Sequence, residues 1–334
     1  VMWTTYQASS GILPVLLLGV AFIDLIHGEK FTKTITKTLP YLAAYIVAAI
    51  IFRLLFMRNS TGYRDTGILT AADFINGVIN NIYNYAMSIA GSLNVYWGVL
   101  IMLTVCIFVV SVAIYRYKNK HHIKDVLVGV VYCVVFILLA VPLSYGVYSL
   151  LNNAPTNGRS LIGIATVFMV VAIVPAIIMK GACKLVVSPS VILLWSFIVY
   201  ATALGNGLSS QKDYANFRLT NLAGELSSVS DIKLDGKTKL NLDGGIGYSA
   251  ELNHVRNLYP VTSRVMDIES GLDGLSTWGY RRLIVDYGVN VKENLSKSVK
   301  CHHEIKSTIY EDILSDKQGN ICVKLNPLTT SVWR

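Results

Sequence analysis

The residues best suited to chemistry in this 334-residue chain lie between positions 53 and 84. Arg53, Arg58 and Arg64 fall close together, and guanidinium groups pair bidentately with phosphate. Asp65 and Asp73 are the carboxylates nearest to them. An aspartate at an apolar boundary can take the proton of an attacking hydroxyl. Asn76, Asn80 and Asn84 then recur every fourth residue. An amide both donates and accepts, so such a row could line a wall that hydrogen-bonds sugar hydroxyls. Each group also has a plainer reading. Arg53 can snorkel from a span end to the interface, and Asp65 can pair with Arg64. Asp73 can serve in the first turn of a helix, and the asparagine row can be a wet face.

The elements that must position these residues are membrane spans. The chain is 53% hydrophobic and 15% charged, with a mean hydropathy of +0.50; a soluble protein carries roughly 25% charged residues. The charge is unevenly divided. Residues 1–205 hold 5 acidic and 13 basic residues, residues 206–334 hold 15 and 16. The net +9 therefore sits almost entirely in the apolar part, which excludes a nucleic-acid-binding patch. A helix needs about 20 apolar residues to cross a bilayer. Six stretches qualify, near 5–26, 39–57, 95–115, 126–148, 161–179 and 185–205. Nine basic residues fall in alternate loops: Lys30, Lys33, Lys37, Arg116, Lys118, Lys120, Lys124, Lys180 and Lys184. The other loops hold only Arg58, Arg64 and Arg159. By the positive-inside rule, the start of the chain and residues 206–334 lie outside the cytoplasm. A start on that side without a signal peptide points to earlier spans and an earlier outer loop absent from this sequence.

Between the second and third spans, Ile75, Val78, Ile79, Ile82, Ala86 and Ile89 follow helical spacing, with Asp73 and the three asparagines on the other side. This predicts an amphipathic helix on the outer membrane surface. The expected fold class is thus an α-helical polytopic membrane domain (1–205), with that helix, followed by a small α+β extracytoplasmic domain (206–334). In the latter, Tyr214, Phe217, Leu222, Leu226 and Val229 mark an amphipathic helix. Leu240 and Leu242 alternate as in a strand, and helices are expected at 251–258 and 276–287. Further strands fall at 300–305, 307–314 and 320–325. Gly244, Gly245 and Gly247 lack the spacing of a phosphate-binding loop. Trp278, Tyr280, Arg281 and Arg282 could stack on sugars or pack in a core. Cys301 and Cys322 are expected to form a disulfide, which the compartment permits. His254, His302 and His303 match no zinc spacing, so no metal is expected.

The Tyr-Gln-Ala-Ser opening at 6–9, the run from Gln211 to Leu226, and the following DIKLDG and GGIGYSAEL segments together resemble the type II glucosyltransferase family. That family includes the serotype-converting O-antigen glucosyltransferases of bacteria and their phages. The resemblance implies a GT-C-like membrane enzyme of the bacterial inner membrane. Its partners would be a polyprenyl-phosphate glucose donor and lipid-linked O-antigen (lipopolysaccharide) as acceptor, with no cofactor. It also implies that the principal catalytic carboxylate belongs to an earlier outer loop, which leaves Asp65 and Asp73 as the candidates here. The rival readings are a membrane receptor, a transporter and a polysaccharide polymerase. Cytoplasmic loops of about 5–12 residues leave no room for a signalling domain. Ionisable groups within the spans are confined to Asp24 and Arg53, near their ends, which disfavours transport.

Overall fold

The structure, a computed structural model, describes residues 9–55, 67–120, 122–179, 183–229, 234–265, 282–293, 301–316 and 319–327. The chain divides into two compact units, Val1–Ile198 and Val199–Arg334.

The first unit is helical: α1 (Ile12–Ile26), α2 (Phe31–Leu55), α3 (Phe74–Ser92), α4 (Val95–Lys120), α5 (Ile123–Tyr145) and α6 (Ile162–Ile178). The unit boundary falls inside α7 (Cys183–Ser228), a helix of 46 residues. Among the described residues, four helices are long and apolar enough to cross a membrane: Phe31–Ile51, Val95–Asn119, Ile123–Leu150 and Ser188–Ser228. The six expected spans are therefore not all matched by length. α1 and α6, with 15 and 17 residues, reach only about 22 and 26 Å at the helical rise. They are nonetheless central. Val15 and Phe22 of α1, Phe108 and Val112 of α4, Phe136 and Ala140 of α5 and Val170 and Val174 of α6 form one buried cluster. The Phe22 ring lies 5.2 Å from Phe108 and 5.0 Å from Phe136. Close approach depends on glycine: a Cβ on Gly11 or on Gly163 would overlap the carbonyl oxygen of Ser144. Small residues let apolar helices pack without a hydrophobic driving force between them.

Arg116, Lys118 and Lys120 belong to the last turns of α4 rather than to a loop. Arg116 is 7% exposed and donates from Nη1 to the carbonyl of Ile26 at 3.2 Å, the last residue of α1. A helix C-terminus leaves such carbonyls without internal partners and attracts cations. Asp125 completes the arrangement at 3.3 Å from Nη2.

The second unit packs the end of α7 on a five-stranded sheet. The strands are β1 (Lys239–Gly244), β2 (Lys292–Glu293), β3 (His303–Ser307), β4 (Glu311–Ser315) and β5 (Ile321–Leu325), in the order β2-β1-β5-β4-β3. β1 runs parallel to β2 and β5, while β4 is antiparallel to β5 and β3. Alternation decides the inner face. Leu240 and Leu242 are buried, and they pair with the buried Ile321 and Val323. Leu219, Leu222 and Leu226 of α7 complete this core. Gly244 closes β1 at φ +82°, where a side chain would press on the Leu325 carbonyl; only glycine is comfortable there. Helix α8 (Ala250–Leu258) is capped by Ser249, whose Oγ accepts from the Leu252 N–H at 3.3 Å. A short turn of helix, α9 (Thr262–Val265), follows. Cys301 and Cys322 are joined by a disulfide with Cα atoms 6.0 Å apart. It ties the start of β3 to β5 at the sheet end where the β4–β5 turn lies.

Candidate functional site

Helix α3 carries the candidate residues that the structure describes. Its packed side differs from the one expected. The buried positions are Asn81, Tyr85, Ser88 and Ser92, a polar stripe at i, i+4, i+7 and i+11. Ile75 and Ile79 are 73% and 59% exposed, whereas Val78, Ile82, Ala86 and Ile89 are half-buried. The reason is the neighbour. α3 lies against the irregular segment following α5, whose backbone carbonyls need donors. Asn81 Nδ2 donates to the carbonyls of Ser149 and Leu151 at 3.0 and 2.8 Å. Ser88 Oγ donates to the Thr156 carbonyl at 3.0 Å. Tyr85 shares a 3.0 Å hydrogen bond with Ser144 Oγ and stacks on Tyr145 at 4.2 Å. Tyr145 in turn donates to the Pro155 carbonyl at 2.9 Å.

This network fixes the helix; it leaves the reactive possibilities on the other side. Asn76, Asn80 and Asn84 are exposed, stepping about 6 Å apart along the axis. Tyr83 and Met87, 62% and 54% exposed, share that open surface with Ile75 and Ile79. A surface of amides among apolar side chains suits a membrane interface. Asp73 stands at the helix start without a capping bond from its side chain. Thr70 Oγ1 donates to its Oδ2 at 3.0 Å. The structure thus gathers Asp73 and the three asparagines on one helix. Position 53 lies in the last turn of α2, but the Arg53 side chain lies outside the described residues. So do Arg58, Arg64 and Asp65, and Trp278, Tyr280 and Arg281. Arg282 is described, with its Nη2 hydrogen-bonded to Asn216 Oδ1. Among the described residues no group of three or more His, Cys, Asp or Glu is arranged to hold a metal.

Sequence reasoning missed a buried ion pair in the second unit. Arg218 is 1% exposed and Glu311 is fully buried, with Nη2 and Oε2 3.5 Å apart. The guanidinium also donates to the carbonyls of Ile246, Tyr310 and Asn326 at 3.0, 2.6 and 3.2 Å. Burial pushes the Glu311 carboxyl above its ordinary range; Arg218 pulls it back and the Glu225 carboxylate adds to the rise. The signal was present as Tyr214, Arg218 and Leu222 at a spacing of four, an arginine on the apolar stripe of a helix.

Several long apolar helices, a shared helical core and a small mixed sheet define a polytopic helical membrane protein with an added α+β unit. Residues 1–177 match the family described as Glucosyl transferase GtrII, and the chain belongs to that family. Membership makes it a glucosyltransferase working in a membrane setting. The matched residues cover α1–α5 and nearly all of α6, and the second unit lies beyond them. No curated protein and no solved structure matches the chain.

Proposed function

We propose that this protein moves a glucosyl residue from a polyprenyl-phosphate carrier to O-antigen at the periplasmic face of the bacterial inner membrane. The family match over residues 1–177 carries the transfer of glucose. The charge bias supports the topology, with nine basic residues at or near alternate junctions between apolar segments and three at the others. In this reading residues 206–334 and α3 face the periplasm.

The chemistry is a displacement at the anomeric carbon. An acceptor hydroxyl oxygen forms the new bond to that carbon, and the bond from the carbon to the carrier phosphate breaks. The electron pair stays on the lipid phosphate, and the hydroxyl proton passes to a carboxylate, with Asp73 or Asp65 as the candidates on this chain. Negative charge grows on the leaving phosphate, so cations positioned there lower the barrier. Arg53, Arg58 and Arg64 are assigned that role. Asn76, Asn80 and Asn84 would hold sugar hydroxyls, and Trp278, Tyr280 and Arg281 are assigned to the glycan. The donor is a lipid-linked sugar, so no nucleotide site is needed.

The test is mass spectrometry of the O-antigen repeat from cells with and without the complete gene. One hexose per repeat, lost on deletion and still lost with Arg53→Ala, is the expected result. An unchanged repeat mass with altered chain length would replace this reading by polymerisation. Full modification by a well-expressed Arg53→Ala variant would remove the phosphate role.

A further inference from the structure

The second unit carries a groove of about 470 Å³ lined by Phe217, Thr220, Asn221, Gly224, Glu225, Ser228 and Lys306. Small-molecule sites span roughly 300–1,000 Å³, so the volume suits a sugar ring or two. Six of the seven lining residues come from the last turns of α7, and Lys306 comes from β3. None of them lies within the family match.

The groove's charges cancel. Lys306 Nζ sits 3.8 Å from Glu225 Oε1, and Glu311 behind them is paired with Arg218. What the groove offers a ligand is therefore hydrogen-bonding capacity rather than net charge. Asn221 Nδ2 bridges Glu225 Oε1 and Glu311 Oε1 at 3.3 and 3.1 Å, which fixes the amide and the carboxylate against each other. Glu225 also hydrogen-bonds through its carboxyl with Glu311, and its Oε2 is sealed from the groove, so this acid shapes the floor rather than meeting a ligand. The hydroxyls of Thr220 and Ser228 donate to the helix carbonyls of Asn216 and Glu225, which turns their lone pairs outward as acceptors. Phe217 supplies an apolar face: it is 50% exposed and held edge-on against Tyr310 at 5.6 Å. Acceptors that await hydroxyl donors, one amide and an aromatic face are the chemistry that recognises a pyranose.

Gly224 lines the groove, and a Cβ there would meet nothing within 4 Å, so a larger side chain can be placed in the groove without disturbing the helix packing.

We propose that this groove is a saccharide-binding site that holds an uncharged, hydroxyl-rich glycan. The site goes beyond the transfer reaction, because it stands on the second unit's own residues. The exposed hydroxyls of Thr220 and Ser228 accept from ring hydroxyls, and Asn221, held by Glu225 and Glu311, supports the floor between them. Phe217 covers the C–H face of the ring.

The test uses the full-length protein in detergent, with methyl glucoside, methyl N-acetylglucosaminide and delipidated O-polysaccharide as probes, read by saturation-transfer NMR and calorimetry. Binding of at least one probe with a Kd near ~1 mM or tighter is expected. Gly224→Leu, which fills the groove with a helix-favouring residue, should weaken it about tenfold or more, as should Phe217→Ala. Unchanged far-UV spectra and thermal midpoint would show that both variants fold. No binding of any probe by the wild-type protein, or equal binding by both folded variants, would overturn the proposal. Assaying O-antigen glucosylation in the same strains separates the two readings. Loss of glycan binding with Gly224→Leu while the repeat still gains its hexose would support a groove that acts apart from transfer. A wild-type repeat without the hexose, beside a groove that still binds glycan, would sink the transfer reading alone.

Discussion

The two units treat buried guanidinium groups differently. In the helical unit Arg116 sits at the end of α4, 7% exposed, where it closes the open C-terminus of α1 and keeps Asp125 beside it. In the second unit Arg218 lies inside the core, with three carbonyls, a tyrosine hydroxyl and a fully buried carboxylate around it. The apolar side chains follow the reverse order. Leu39, Ile46, Met102 and Leu138 of the helical unit are between 49% and 66% exposed, whereas Leu219, Leu240 and Ile321 are buried. A bilayer accepts an apolar exterior and penalises a charge at mid-span. Water does the opposite, so the second unit can bury a charge only by surrounding it with partners. The lesson is that charge location, more than hydrophobicity, tells which solvent each unit was built for.

That contrast can be broken most directly at the two arginines. Arg218→Met leaves Glu311 buried without its cation and three carbonyls without their donor. Loss of one member of a buried pair costs about 3–5 kcal/mol, which would open the second unit. Arg116→Met removes the donor to two carbonyls, of Ile26 and Asp125, and a partly exposed pair, for about 1–2 kcal/mol. Hydrogen exchange of the full chain, read separately over residues 199–334 and 1–198, measures both. Equal losses would dissolve the distinction drawn between the units.

The next effect in size concerns how the helical unit packs. Gly163→Ala places a methyl group against the Ser144 carbonyl, and overpacking of a tight contact costs about 1–3 kcal/mol. Gly98→Ala on α4, where an added Cβ meets nothing, is the matched control. A lowered thermal midpoint for Gly163→Ala alone is expected. A similar midpoint for both variants would mean that small-residue contact does not hold this bundle together.

How far the sequence disclosed all this follows from the same physics. Alternation at Leu240 and Leu242, and at Ile321 and Val323, marked strands because a half-buried sheet imposes a period of two. Ser249 before Ala250–Leu258 is a recognisable helix start. Apolar helices were legible, four of them long enough to span among the described residues, but their packed sides were not, since a helix apolar all round carries no directional signal. The polar inner stripe of α3, Asn81 to Ser92, went unread for another reason: a polar residue on an amphipathic helix reads as a wet face unless its distant partner is known. Its partners are carbonyls of residues 149–156, dozens of positions away. Arg218 and Glu311 are 93 positions apart, and nothing local to either says that the fold will bring them together. Asp73, Asn76, Asn80 and Asn84 could be named from type and spacing because one helix holds all four.

The smallest expected effect tests whether Glu311 remains a strained acid despite its arginine. Burial raises its carboxyl above the ordinary value of 4.5, Arg218 opposes the rise and Glu225 reinforces it. Between about 4.5 and the raised folded value, the folded protein keeps a proton that the unfolded chain has released. The folded state then binds more protons, so this group's contribution to stability is full below that window and falls as pH rises through it. Glu311→Gln keeps the shape and removes the titration. Opening free energies of the second unit, from hydrogen exchange corrected for intrinsic rates, should therefore decline less steeply with rising pH in the variant. The difference is expected to be smaller than either effect above and to show as a change of slope across the window. Parallel pH profiles for the two proteins would mean that the arginine fully offsets burial. The core of the second unit would then hold an ordinary ion pair rather than one whose acid is pushed toward neutrality.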